Sequence, residues 1–171
     1  EGKYGETTDP LREYLSAKAE WKTCAYVQEV LLETRVEFGK ADHKPLEELR
    51  ELFHKINYSN ASLLEKDKRI NHDQLALIEE IGRHVSLQTK ALLHPGTTSY
   101  DILDSARSYL FKKAWRNVIR KEVGQSIEQL CSIAHRSMDI LQVGRTHLQH
   151  TSPVLFGGMI AGYAARIAER T

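Results

Sequence analysis

Cysteine is scarce in this chain of 171 residues, where Cys24 and Cys131 stand far apart in sequence. They make neither a metal-type spacing nor a disulfide framework, which fits a reducing cytoplasm. Proline is nearly as scarce, with four residues and none between Pro95 and Pro153. An excess of one charge sign is missing too, since 24 basic side chains meet 23 acidic ones for a formal net charge of +1. No global field therefore recruits nucleic acid or a membrane surface, and any anion site must be local. No apolar run approaches the ~20 residues that a membrane-spanning helix needs. The opening EGKYGETTDP lacks the apolar core of a signal peptide and a starting methionine, so some trimming is expected. What is present, 41% hydrophobic and 27% charged residues, is an ordinary folded composition, enough for one domain or one and a half.

The apolar pattern is helical nearly everywhere. Asp9-Pro10 offers an N-cap carboxylate and a proline at the first helical position; Leu11, Leu15, Ala19, Tyr26, Val30 and Leu31 follow at helical steps to a stop at Gly39. Pro45 opens a second helix with Leu46, Leu49, Leu52, Phe53 and Ile56, interrupted by the polar NYSNAS. A third is expected from about Asp73 to Leu93. After HPGTTS, apolar residues from Ile102 through Trp115, Val123 and Leu130 to Leu141 keep a helical period up to Val143. About 40 residues without proline make a rod of ~60 Å, a length that belongs to an elongated bundle or coiled coil, with Gly124 its one weak point. VGRTHLQHTSP breaks the rod, and Ser152-Pro153 can open another helix through Ala164 and Ile167. No strand-like alternation or repeat is seen, so the expected class is all-α. The final MIAGYAARIAERT is still apolar and periodic, and one rod with one return stroke cannot bury its own faces. The chain is therefore expected to be a piece of something longer.

Chemistry is sought first among the eight histidines, which titrate near neutral pH. His54 and His135 fall inside helices, His84 reads the same way, and His43 sits in a polar turn. The other four cluster at helix breaks: His72 in RINHDQLA, His94 in HPGTTSYD, and His147 and His150 in GRTHLQHTSP. A metal site would want three or four convergent ligands around an HExxH or CxxC core, and a Ser–His nucleophile an elbow such as GxSxG; both patterns are absent. Thr98-x-x-Asp101 and Thr146-x-x-Gln149 fit the capping box, and Asn71 is a further N-cap candidate, so local rules favour capping over catalysis. Yet a helix N-terminus carries partial positive charge and free N–H donors. Three such ends, with Lys3, Arg69 and Arg145 nearby, would suit a polycarboxylate or a phosphate.

Four stretches carry a resemblance. EGKYGE is similar to an Arg-Tyr-Gly element, INHDQLALIEEI to an Asn/Arg-His-Asp helix start, LHPGTTSYDILDSA to a His-x-x-x-Thr-Ser-x-Asp segment, and VGRTHLQHTSPVLFG to an Arg-Thr-His-x-Gln segment. In this order and at this spacing they resemble the fumarase/aspartase superfamily of lyases, and within it the adenylosuccinate lyases. The resemblance implies an N-terminal helical domain over residues 1–93 and the start of a long-helix bundle over residues 94–171. It also implies a cytoplasmic homotetramer whose active sites draw on three subunits, with no metal or organic cofactor and no nucleic-acid or membrane partner. The implied reaction is β-elimination of fumarate from a succinyl-nucleotide, adenylosuccinate or an earlier purine intermediate. Carried over by position, His147 is the general acid and His72 assists at the substrate. Thr98, Ser99 and Thr146 hold a succinyl carboxylate, and Lys3 and Tyr4 lie near the phosphate. Asp73 and Gln149 orient the others, while His94 shapes its loop.

The departures from the family pattern are specific. Lys3 stands where the family has arginine and loses bidentate phosphate geometry. THLQ replaces THGQ, nearer to fumarase and argininosuccinate lyase usage, and HTSP replaces PATP. The mobile Ser-Ser-x-Met-Pro-x-Lys-x-Asn loop that supplies the base does not occur in these residues, so the chain alone is expected to be inactive. The rivals are another lyase of the superfamily (argininosuccinate lyase, fumarase or a carboxymuconate-type enzyme) and a non-catalytic helical scaffold with capped turns.

Overall fold

The computed structural model describes residues 4–53, 56, 58 and 72–171, which by their contacts form two compact units, residues 1–114 and 115–171. Unit one is built of helices α1 (Gly5–Leu15), α2 (Ala17–Glu37), α3 (His43–Phe53), α4 (Asp73–Gly82), α5 (Leu87–Leu92) and α6 (Ser99–Ala114). Its core is fully buried at Cys24, Leu32, Leu49, Leu77, Ile81 and Ile102, one side of α2 meeting α3, α4 and α6. Arg107 on α6 donates two hydrogen bonds to the Glu20 carboxylate on α2, at 2.9 and 3.2 Å, tying the two helices outside the core.

Helix boundaries depart from the apolar pattern where capping side chains intervene. The first helix starts at Gly5, enclosing Pro10 instead of opening at it. It ends at Ser16, whose extended backbone (ψ 155°) and hydroxyl, accepting from the Ala19 N–H at 3.2 Å, start α2 afresh. Gly39, at φ +64°, closes α2 where a left-handed residue was expected. The expected helix from Asp73 to Leu93 is two: α4 stops at Gly82, against which the Lys90 stem packs, and Ser86 caps α5 by accepting from the Thr89 N–H. Glu48 of α3 secures that break, accepting from the Ser86 N–H at 2.6 Å and from the Ser86 hydroxyl at 2.8 Å.

Unit two opens with a π-helical turn (Trp115–Ile119) that leads into α7 (Arg120–Arg136). This helix stops short of the expected Val143 because Ser137 leaves the helix (φ −118°), its own N–H capping Ile133 and Ala134 carbonyls. In unit two, strand β1 (Leu141–Thr146) pairs antiparallel with β2 (Gln149–Leu155), and α8 (Phe156–Ala168) returns along α7. This ribbon corrects the expectation of no strands and of a helix opening at Ser152-Pro153; the described residues are mostly α with one hairpin. Leu141 and Val143, read as the tail of a helical period, are strand residues instead. Pro153 faces Val143 in the ribbon, where each strand has an open side and a missing N–H costs little. The register slips at Gly144, where an added Cβ would lie 2.6 Å from the Ser152 carbonyl oxygen and 2.7 Å from the Thr151 hydroxyl. Among the described residues no helix is long and apolar enough to cross a membrane.

Candidate active site

Two of the sequence-predicted groups meet in unit one. His72 is itself the N-cap of α4: its backbone is extended (φ −159°) and Nδ1 accepts the Leu75 N–H at 3.2 Å. Asn71, the expected cap, lies outside the described residues, as do Lys3 and Arg69. With Nδ1 spent as an acceptor, the neutral ring carries its proton on Nε2 and donates it to the Ser99 Oγ, 2.8 Å away. The hydroxyl proton of Ser99 is then free for another acceptor. Asp73 turns its carboxylate back onto its own helix, accepting the Gln74 N–H at 2.7 Å, with its other relation a 3.8 Å approach to His72 Nδ1.

The turn from Leu93 to Thr98 delivers Ser99 to that position. Thr98 forms half of the expected capping box: its N–H donates to Asp101 Oδ2 at 2.8 Å, while its exposed hydroxyl makes no bond among the described residues. His94 and Gly96 both hold positive φ, 69° and 72°. The Thr97 hydroxyl lies 2.8 Å from the His94 carbonyl oxygen and 2.9 Å from its Nδ1. From α2, Arg35 donates to the carbonyls of Leu92 and Pro95. Burial, and then the neighbouring His72 charge, push the His94 pKa down, with Asp101 and Asp73 opposing in part. Gln28 of α2 also reaches this turn, and the apolar pattern gave no sign of it. A buried glutamine differs from an apolar neighbour in a helical stripe only by the partner it finds in the fold. Tyr4, at the start of α1, is exposed, and α1 packs on α2 and α6.

The remaining predicted residues lie in unit two on the hairpin. Thr146 and Gln149 face each other as the last pair of the ribbon, and His147 and Leu148 form the two-residue turn. This corrects the capping-box reading of Thr146-x-x-Gln149: no helix starts here, and so no helix N-terminus offers an anion site at this break. His147 and Leu148 both have positive φ, 50° and 62°, the backbone of a type I′ turn that usually takes Asn-Gly. A leucine there, 95% exposed, is held against its own preference. The His147 side chain is exposed and makes no hydrogen bond among the described residues, so both ring nitrogens are available for proton transfer. Among the described residues no three His, Cys, Asp or Glu side chains converge as a metal ion would require.

Comparison with known proteins bears on the family and the fold. The profile of the family described as Lyase covers residues 2–171. The adenylosuccinate lyase of Aquifex aeolicus is 30% identical over 119 residues, 70% of this chain and 27% of the relative. That of Streptococcus mutans is 28% identical over 117 residues, 68% of this chain and 27% of its own length. The chain thus spans about a quarter of the curated relatives it matches. Among solved structures, a fumarate lyase from Mesorhizobium sp. BNC1 superposes with a TM-score of 0.74 at 24% identity, over 94% of this chain and 39% of that one. A 3-carboxy-cis,cis-muconate lactonizing enzyme from Pseudomonas putida gives 0.79 at 21% identity, over 94% and 37%. These two establish the fold. With its family profile matched from residue 2 to the last residue and its helical fold shared, the chain belongs to the lyase family of the fumarase/aspartase superfamily.

Proposed function

We propose that this chain belongs to a C–N lyase that eliminates fumarate from a succinyl-amino substrate, adenylosuccinate first and the related succinylated purine intermediate second. The observation that carries the reading is the His72–Ser99 pair, 2.8 Å apart at the starts of two helices. Elimination beside a carboxylate needs a base for a weakly acidic C–H, an acid for the departing nitrogen, and preorganised donors for the charge that builds on the carboxylate. Ser99, its hydroxyl proton left free by His72, and the exposed Thr98 hydroxyl supply neutral donors at the positive end of α6. His147 is the acid, held at a turn by Thr146 and Gln149. Lys3 and Tyr4 take the phosphate. The base comes from the superfamily's serine loop, which this chain does not include, in a cytoplasmic homotetramer working without metal or organic cofactor.

The test is fumarate release by the full-length protein, first from adenylosuccinate and then from argininosuccinate. Turnover of the first, with a loss of at least ~10² in kcat on His147→Ala, is expected. Release from argininosuccinate alone would move the assignment to another lyase of the superfamily. A folded protein releasing fumarate from neither would sink it.

A further inference from the structure

The residue that the reaction scheme leaves unused is Gln28. It lies in the core-facing side of α2 at 1% exposure, where a glutamine with unmet hydrogen bonds would be costly. Both ends of its amide are spent on one residue 66 positions away: Oε1 accepts the His94 backbone N–H at 2.9 Å, and Nε2 lies 3.3 Å from His94 Nδ1. An amide NH₂ can only donate, so Nδ1 accepts and the neutral imidazole keeps its proton on Nε2. The same bonds hold His94 at φ +69°, a backbone region that a histidine seldom enters. Three residues on, the Thr97 hydroxyl closes the turn onto His94, and Ser99 then meets His72.

The geometry points to Gln28 as a positioning residue: its buried amide fixes the pose and tautomer of His94, and through that turn the placement of Ser99 against His72. The neighbours that bear on His94 are His72 and Asp73 from the start of α4, Asp101 from α6, and Arg35, which holds the adjoining carbonyls from α2. The Thr97 hydroxyl lies nearer, 2.9 Å from Nδ1, but it can donate or accept there and its single proton also has the His94 carbonyl in reach. Only the Gln28 amide nitrogen is bound to donate, so the tautomer rests on Gln28. Arg35 restrains the turn but leaves the ring undirected. This inference rests on the lyase reading only for its kinetic consequence.

The experiment uses two variants of the full-length protein. Gln28→Met keeps length and packing but removes both bonds. Gln28→Glu keeps the acceptor for the His94 N–H while placing a carboxylate at Nδ1, which draws a proton onto the ring. Exchange of the imidazole C2 hydrogen, followed by mass spectrometry across pH, reads the His94 titration without substrate. Its midpoint is expected to rise by about one pH unit or more in Gln28→Glu, and not in Gln28→Met. Both variants should lose at least about tenfold in kcat/KM for fumarate release, mainly through KM, as expected of a misplaced binding group. An unmoved His94 midpoint in folded Gln28→Glu, or kcat/KM within about twofold of wild type in both variants, overturns the assignment. If the wild-type protein releases no fumarate, the lyase reading fails while the exchange measurement still decides the role of Gln28.

Discussion

At the scale of single residues, His94 has a measurable thermodynamic signature. Its pKa in the folded chain lies below the ordinary imidazole value, because burial and the His72 charge disfavour the cation. The unfolded chain therefore binds this proton more readily, and stability rises with pH across the interval between the two values. The contribution is fully present above about pH 6.5 and is lost as pH falls through the lowered folded value. Urea unfolding should show a lower midpoint at about pH 5.5 than at about pH 7.5. His94→Asn, which tolerates the left-handed backbone, should flatten that dependence. An equal pH dependence in the variant would locate the titration in another group. Buried Cys24, whose pKa is pushed up to about 11 chiefly by burial, stays a thiol throughout this range and does not contribute.

Among elements, the junction of α7 and α8 sets where the long helix ends and the return begins. The Gly157 N–H donates to the Ser137 carbonyl at 3.1 Å, and a Cβ at Gly157 would strike the backbone of Ala134, Ser137 and Met138. Gly157→Ala should therefore cost about 1–3 kcal/mol, since backbone cannot yield as a flexible side chain can. Thermal melts would show it, and an unchanged melting temperature would mean that the two helices separate at no expense. The same junction explains what could be read from the sequence. Helix content, the stop at Gly39 and the Thr98–Asp101 start of α6 were legible, because each depends on residues within four positions of one another. The helix end at Ser137 was not, because it is fixed by Gly157, twenty positions on. The hairpin was missed for a related reason. Thr-x-x-Gln reads as a cap, but the same four residues also close a two-residue turn, and only the positive φ of His147 and Leu148 separates the two. At the site, His72, Ser99 and His147 stood out as breaks in periodicity, whereas Gln28 was invisible within it.

For the whole molecule, the side chains proposed to act on substrate fall into two sets on two compact units, His72, Thr98 and Ser99 on one and Thr146, His147 and Gln149 on the other. Much of the second unit's apolar surface is open: Met159, Tyr163 and Ile167 of α8 are each more than a third exposed, as are Leu141 and Val143 of β1. Surface of that kind is covered when helices assemble with other helices, and the proposed tetramer would supply both that burial and the second set of side chains. If each site combines the two sets from different subunits, damage to one set is repaired by a subunit damaged in the other. Full-length Ser99→Ala and His147→Ala, each inactive alone, should then regain fumarate release when dissociated, mixed and reassembled. With random equal mixing, about one site in four draws each set from the subunit type in which that set is intact, so recovery should approach a quarter of wild-type activity. A mixture no more active than its components, with hybrid tetramers verified by mass, would place both sets in a single subunit. The reaction assigned to them would be left intact, and the shared-site assembly would fall.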